Sequence, residues 1–162
     1  MNNYTEVYGD LIALAKEGKF DVIAHGCNCL CTMGAGLAPQ MASAFGCDLF
    51  PLEDIKYKGD INKLGQIEAH LISRMDMERG VFVINAYTQY SYGKNHTDGV
   101  DTPVDYEAIT LCMRKINQKY KGLHIGLPMI GAGLAGGDWE KIKHIIKREL
   151  KDCIVTIVIF KK

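Results

Sequence analysis

The residues best suited to chemistry are two identical glycine-rich segments, Gly-Ala-Gly-Leu-Ala, at positions 34–38 and 131–135. Glycine admits positive φ and lets backbone N–H groups approach a ligand without a Cβ in the way. Each segment follows an apolar run and precedes a helical pattern, and a helix N-terminus adds unpaired N–H donors with partial positive charge. Two such turns at the carboxyl ends of adjacent strands predict a diphosphate site. The alternative is two tight chain reversals that need glycine only for their shape.

The second turn also fits the dinucleotide-binding pattern G-x-G-x-x-G, because it continues to Gly136. That pattern requires an acidic residue about 20 residues later, at the end of the next strand. The corresponding strand ends at Phe160 and is followed by Lys161 and Lys162. Neither turn ends in the Gly-Lys-Ser/Thr of a P-loop. The sequence therefore disfavours both hydride transfer and triphosphate chemistry.

His25 stands at the end of an apolar run, shortly before the first glycine turn. An imidazole beside a phosphate can move a proton during hydrolysis, and the alternative is a hydrogen-bonded core histidine. Cys27, Cys29 and Cys31 follow at intervals of two, so on a strand they would share a face with His25. Steps of roughly 6–7 Å suit a zinc site poorly. We expect small buried thiols, with a reactive thiol as the alternative, and no metal or other cofactor.

Composition narrows the class of protein. With 162 residues, 48% of them apolar, the chain is predicted to form one domain over positions 1–162. Equal numbers of basic and acidic residues, 19 each, disfavour a nucleic-acid partner. No apolar run approaches the ~20 residues that span a membrane. Six cysteines in a chain of this size favour a reducing cytoplasm over disulfides.

The elements that must position these residues are read from apolar periodicity and helix caps. Four helices are predicted: one capped by Asp10, one through Phe45 with Pro39 near its start and Gly46 after it, one begun by Thr102 with Asp105 in a capping box, and one capped by Asp138. Strands are predicted at 4–8, 20–25, 67–75, 81–88, 124–130 and 154–160, the third and fourth forming a hairpin. Alternating strands and helices predict an α/β fold, a three-layer α/β/α sandwich with a six-stranded, mixed, mostly parallel sheet.

Together, these motifs resemble the macrodomain family of ADP-ribose binders over nearly the whole chain. The resemblance rests on Gly9-Asp10-Leu11, on Asn28, on the segment 33–38 and on the segment 128–139. It implies that Asp10 and Leu11 hold adenine, that Phe160 stacks on adenine, and that Asn28 contacts the distal ribose. It assigns the diphosphate to Gly34, Ala35, Gly36, Leu37, Gly131, Ala132, Gly133, Leu134, Ala135 and Gly136.

Within that family, the run His25-Gly26-Cys27-Asn28-Cys29 resembles the ADP-ribose 1″-phosphate phosphatase branch, in which the matching histidine is catalytic. The resemblance implies metal-independent hydrolysis of ADP-ribose 1″-phosphate to ADP-ribose and phosphate. The branch that hydrolyses ADP-ribose esters has a lysine and an aspartate where this chain has Gln89 and Ala135.

The alternatives are ester hydrolysis on ADP-ribosylated protein or O-acetyl-ADP-ribose, and a non-catalytic ADP-ribose reader. Gln89 and Tyr90 are expected to bind substrate, and Tyr90 or Tyr92 is expected to close the distal-ribose pocket. The expected partner is ADP-ribose or a derivative, with an ADP-ribosylated protein as the alternative.

Overall fold

The fold is taken from a computed structural model, which describes residues 3–29, 36–48, 61–89, 105–132 and 136–160. Strands and helices alternate in the predicted order. The strands are β1 (Tyr4–Gly9), β2 (Val22–Asn28), β3 (Ile67–Ile72), β4 (Val81–Gln89), β5 (His124–Leu127) and β6 (Ile154–Phe160). The helices are α1 (Leu11–Lys16), α2 (Ala38–Phe45), α3 (Tyr106–Lys119) and α4 (Trp139–Glu149).

The six strands form one sheet in the order β1-β6-β5-β2-β4-β3. Neighbouring strands are parallel except for β3, which pairs antiparallel with β4. The predicted mixed sheet and its hairpin are thus confirmed. Parallel pairing brings the carboxyl ends of β1, β6, β5, β2 and β4 to one side of the sheet, which we call the carboxyl edge.

Helices cover both faces of the sheet, as predicted. On one face, α1 and α2 bury Leu11, Ala15, Met41 and Phe45 against Ile23, Val81 and Val83. On the other face, α3 and α4 bury Ile109, Met113, Ile116, Ile142 and Ile146 against Val22, Ala24, Ile84, Ile125 and Ile157. The apolar stripe of each helix accounts for this layering, because burial of one face stabilises an amphipathic helix. None of the helices in the described ranges combines the length and apolar character needed to cross a membrane.

Several strand boundaries differ from the prediction. Strand β2 continues past His25 to Asn28, so Asn28 belongs to the sheet and not to the glycine turn. Strand β3 ends at Ile72, and β5 ends at Leu127, both three residues early. Pro128 follows β5 directly, and proline has no N–H to donate to a strand ladder.

Aspartates cap three of the helices. Asp10 and Asp138 cap α1 and α4 as predicted. Asp105 is itself the N-cap of α3, with its carboxylate accepting the Ala108 N–H at 3.0 Å, and is not the predicted capping-box residue. Thr102, the predicted cap, lies outside the described residues. Helix α2 differs: its N-cap is Leu37, which makes no side-chain capping bond.

Candidate functional site

The carboxyl edge brings Asp10 and Phe160 together, although 150 positions separate them in the sequence. The last residue of β1, Gly9, lies opposite Phe160, the last residue of β6. The Phe160 ring is exposed, with 62% of its surface accessible, at the place where a planar base could stack. Leu11 has a buried side chain and anchors the start of α1 in the core.

The carboxylate of Asp10 is oriented by the helix that it caps. Its Oδ1 accepts hydrogen bonds from the N–H groups of Ile12 at 2.9 Å and Ala13 at 3.3 Å. The other oxygen, Oδ2, accepts none within the described residues and lies on an exposed side chain. An oriented carboxylate with one available oxygen can accept a hydrogen bond from an amino group.

Asn28 and Gln89 end the two strands next to the first glycine turn. Asn28 is nearly buried and lies opposite Gln89 in the parallel ladder. The register shifts just before this pair: Cys27 lies opposite Tyr87, so Thr88 is an extra residue in β4. Such β-bulges re-aim side chains and are over-represented next to active sites.

The two glycine turns follow strands that are neighbours, because β2 pairs with β5. Gly36, Gly131 and Gly136 have positive φ values of 69°, 76° and 72°, so each uses backbone freedom that other residues rarely have. The carbonyl of Gly131 accepts the Gly137 N–H at 2.8 Å and closes the second turn on itself. The described part of the second turn also includes Ala132, whose N–H donates to the Met129 carbonyl at 3.2 Å.

Part of the predicted phosphate site falls beyond the described ranges, as do the two tyrosines predicted to close the distal-ribose pocket. These residues are Gly34, Ala35, Tyr90, Tyr92, Gly133, Leu134 and Ala135. Their predicted roles, and the convergence of both sets of backbone amides on one ligand, stay predictions. What the described residues contribute is the adjacency of the two strands and the first turn of α2 behind Gly36.

That first turn of α2 differs electrostatically from the starts of the other helices. Helix N-termini carry unsatisfied N–H groups and partial positive charge. An aspartate carboxylate occupies this position in α1, α3 and α4, whereas Leu37 provides no side-chain acceptor in α2. Within the described residues, no side chain caps the backbone N–H groups at the start of α2, which is the arrangement that suits an anion.

His25 is enclosed by protein on the face of the sheet that α1 and α2 cover. Only 1% of its surface is accessible, and its Nε2 lies 2.7 Å from Oδ1 of Asn85. Asn85 in turn donates to the Cys47 carbonyl at 3.0 Å. Burial lowers the pKa of His25 to about 4, which keeps the imidazole neutral at pH 7. Catalysis by His25 stays a prediction. In this geometry, the His25 ring on β2 is hydrogen-bonded to Asn85 on β4 and so connects the two strands.

Thiols surround the same imidazole. The Sγ atoms of Cys27 and Cys47 each lie 3.6 Å from Nε2 of His25. Cys29 is buried as well, and burial raises the pKa of the Cys47 thiol to about 12. A thiol with a raised pKa carries little thiolate and reacts slowly. In the described part of the chain, no three His, Cys, Asp or Glu side chains form a group that could hold a metal ion. Cys31 lies outside these residues.

Two residues of this region escaped sequence analysis. Asn85 is a fully buried amide in the otherwise apolar run of β4, and it lies directly opposite His25. The sequence contained a signal for Asn85, because a polar residue in a buried strand needs a hydrogen-bond partner. Thr88 is the second, and nothing in the local sequence marks its bulge.

Comparisons with known proteins show relatives along nearly the whole chain. No protein-family model matches the chain. The uncharacterized 17.5 kDa protein of the tk-vs intergenic region of Enterobacteria phage T4 is 34% identical over 157 residues, covering 94% of this chain and 93% of that protein. A protein of unknown function from Bacteroides thetaiotaomicron has a similar structure, with a TM-score of 0.70, 26% identity, and 96% and 97% of the two chains covered.

More distant structures are macrodomains. A macrodomain protein from Streptomyces coelicolor matches with a TM-score of 0.67 at 24% identity, over 98% of this chain and 99% of that one. A Trypanosoma brucei macrodomain in complex with ADP-ribose matches with a TM-score of 0.64 at 16% identity, over 99% of this chain and 64% of that one. The chain thus belongs to the same protein family as the phage T4 17.5 kDa protein, and its fold is that of the macrodomains.

Proposed function

We propose that this chain binds ADP-ribose along the carboxyl edge of its sheet and releases phosphate from ADP-ribose 1″-phosphate. The observation that carries the binding is the start of α2. This helix follows β2 through the first glycine turn, and no side chain caps its start within the described residues. Strand β2 is the neighbour of β5, which leads into the second glycine turn. Backbone donors with partial positive charge, free of a competing carboxylate, suit a diphosphate.

The adenosine half of the ligand fits the outer end of the same edge. The free Oδ2 of Asp10 can accept a hydrogen bond from the adenine amino group, and the exposed Phe160 ring beside it can stack on the base. The distal ribose then reaches Asn28 at the end of β2. The ADP-ribose complex of the Trypanosoma brucei macrodomain, which has the same fold, supports this choice of ligand.

In the proposed reaction, the oxygen of a water molecule forms a bond to phosphorus while the bond from phosphorus to the 1″ oxygen breaks. The leaving oxygen gains a proton, and the products are ADP-ribose and inorganic phosphate. Fixed backbone donors can supply part of the stabilisation of the transition state by holding the phosphoryl oxygens. His25 is buried and neutral. We therefore assign it a positioning role, in which it holds the end of β2 that carries Asn28.

Binding is tested by calorimetric titration with ADP-ribose, using Asp10→Ser as the key variant. Serine is about as good an N-cap as aspartate, so the free energy of unfolding should stay nearly unchanged. Loss of the charged acceptor should weaken ADP-ribose binding roughly tenfold or more. Asp10→Ala, which removes the cap as well, should weaken binding equally but also destabilise the protein. Wild-type protein that gave no heat with ADP-ribose would contradict the proposal.

Catalysis is tested separately, by release of inorganic phosphate from ADP-ribose 1″-phosphate. His25→Gln keeps a hydrogen-bond donor for Asn85 and removes the imidazole. The KM and kcat of this variant distinguish two roles of His25. If His25 transfers a proton, kcat should fall while substrate binding is retained. If His25 only positions the end of β2, activity should stay close to wild type. Turnover of O-acetyl-ADP-ribose or of ADP-ribosylated protein in place of the phosphate substrate would favour ester hydrolysis. Binding without any turnover would leave a reader.

A further inference from the structure

A buried threonine hydroxyl lies at the carboxyl edge beside the proposed site without a hydrogen-bond partner. Thr88 is fully buried, and its Oγ1 contacts neither a donor nor an acceptor within the described residues. The backbone around it is well held, because the Thr88 carbonyl accepts the Asp105 N–H at 2.8 Å at the start of α3. The start of α3 thus holds the backbone at Thr88 in place.

The hydroxyl leans over β2 at a position where the chain has no side chain. A Cβ on Gly26 would lie 2.8 Å from Oγ1 of Thr88 and 3.3 Å from Cγ1 of Ile130. Thr88, Gly26 and Ile130 therefore form a row across the carboxyl ends of β4, β2 and β5. This row lies directly before Asn28 on β2 and Gly131 after β5.

An unpartnered buried hydroxyl is destabilising, because it has lost its bonds to water without replacement. Native proteins keep such groups rarely, and each one calls for a partner that arrives with water or with a ligand. Valine has nearly the same shape as threonine and would avoid this cost. The hydroxyl at position 88 thus stabilises nothing in the ligand-free protein.

The order of the strands in the sheet indicates which end of the ligand would lie near Thr88. Asp10 directly follows β1 and Phe160 ends β6, at one side of the sheet, and the glycine turns follow β5 and β2. Strand β4 comes next, four strand spacings of about 4.8 Å from β1. A ligand extended across this edge with adenine at Asp10 brings its distal ribose to β2 and β4.

We infer that Thr88 is a specificity residue, whose hydroxyl hydrogen-bonds an oxygen at the distal end of the ligand, on the ribose or on its 1″ substituent. This inference rests on the proposed function and adds to it a residue that no sequence motif indicates. Binding supplies the partner that Oγ1 lacks, so the hydroxyl favours ligands with a distal ribose over shorter nucleotides.

The test compares Thr88→Val with Thr88→Ser by calorimetric titration with two probes, ADP-ribose and ADP, which lacks the distal ribose. Thr88→Val should weaken ADP-ribose binding roughly threefold to tenfold, the size of one hydrogen bond, and leave ADP binding unchanged. Thr88→Ser should bind both probes like wild type. The ligand-free melting temperature of Thr88→Val should equal or exceed that of wild type.

Thr156→Val is the matched control. Thr156 is a buried sheet threonine on β6 whose hydroxyl is bonded to His124 Nε2 at 2.8 Å and lies 3.2 Å from Thr5 Oγ1. Its loss should lower the melting temperature and leave both dissociation constants unchanged.

The outcomes separate the inference from the proposed function. Wild type and Thr88→Val that bind both probes with the same affinity would overturn the inference, because an ordered water would then be the partner of the hydroxyl. The proposed function would stand in that case. Equal weakening for ADP and ADP-ribose, or a drop in melting temperature like that of Thr156→Val, would also overturn it. Wild type that binds neither probe would remove the proposed function, and the inference with it.

Discussion

Strands β2 and β4 carry buried polar residues on both of their faces, and the two faces treat them differently. Towards α1 and α2, His25 and Asn85 lie opposite each other and are joined by a 2.7 Å hydrogen bond. Towards α3, Thr88 lies beside Gly26 and has no hydrogen-bond partner in the described structure. The three polar side chains His25, Asn85 and Thr88 are all buried.

The contrast shows that burial alone does not distinguish a structural polar residue from one directed at a ligand. His25 has a partner on the neighbouring strand, and that partner is itself bonded to the segment after α2. The Nε2 atom of His25 therefore has a hydrogen-bond partner without any ligand. The Thr88 hydroxyl has no hydrogen-bond partner among the described residues. The Nδ1 atom of His25 also lacks a hydrogen-bond partner within the described residues, so the two faces differ in the Nε2 bond that His25 makes and the Thr88 hydroxyl does not.

The largest effect is expected from His25→Ala. The substitution leaves a cavity and an unpartnered Asn85 amide oxygen, which together should lower the free energy of unfolding by about 4 kcal/mol. Urea denaturation at pH 7 measures this loss. His25→Gln, which fills more of the space and restores a donor, should recover a large part of it. An unchanged urea midpoint for His25→Ala would refute the structural role of this face.

A second effect follows from the pKa of His25, which burial lowers from 6.5 to about 4. Between these values the unfolded chain binds a proton that the folded protein excludes, so stability rises with pH across this window. Acidification from pH 7 to pH 4 should cost up to roughly 3 kcal/mol through this residue. His25→Gln should lack this part of the pH dependence.

Urea denaturation at pH 7, 5.5 and 4.5 measures that difference. Burial also lowers the pKa of His124, which is present in both proteins and cancels in the comparison. Carboxylates whose pKa values are lowered, such as Asp21, lose their contribution only at more acidic pH. Parallel stability curves for wild type and His25→Gln would contradict a neutral, buried His25.

The sequence predicted most of the fold, because the signals involved are local. Apolar periodicity located all six strands and four helices, and Asp10 and Asp138 were correctly read as helix caps. The start of α3 was wrong, because Thr102 and Asp105 are both good caps and the pattern does not rank them. The side chain that caps the helix is Asp105.

The site was only partly predictable, because its geometry depends on the register between strands. Asp10 and Phe160 were each singled out, but only the pairing of β1 with β6 brings them together. The pairing of His25 with Asn85 and the bulge at Thr88 depend on the register of β2 against β4. Register is determined by the packing of the whole sheet, so no local pattern reports it.

A smaller effect is expected on the other face, from Gly26→Ala. The new Cβ would lie 2.8 Å from Oγ1 of Thr88 and 3.3 Å from Cγ1 of Ile130, both closer than ordinary contact. Relief of this overlap should lower the free energy of unfolding by about 1–2 kcal/mol, the usual cost of adding a methyl group to a packed site. Urea denaturation without ligand measures it. An unaltered stability would mean that the row of Thr88, Gly26 and Ile130 is loosely packed.

The double variant Gly26→Ala/Thr88→Ala tests whether the hydroxyl is the group that opposes a side chain at position 26. With alanine at position 88, the atom at 2.8 Å is gone and only the Ile130 contact must adjust. The two substitutions should therefore be non-additive, with the cost of Gly26→Ala smaller in the Thr88→Ala background, as expected for residues in direct contact. Additive losses would assign the crowding to Ile130. In that case the contact with Ile130 would be what opposes a side chain at position 26, and the Thr88 hydroxyl would have no part in it.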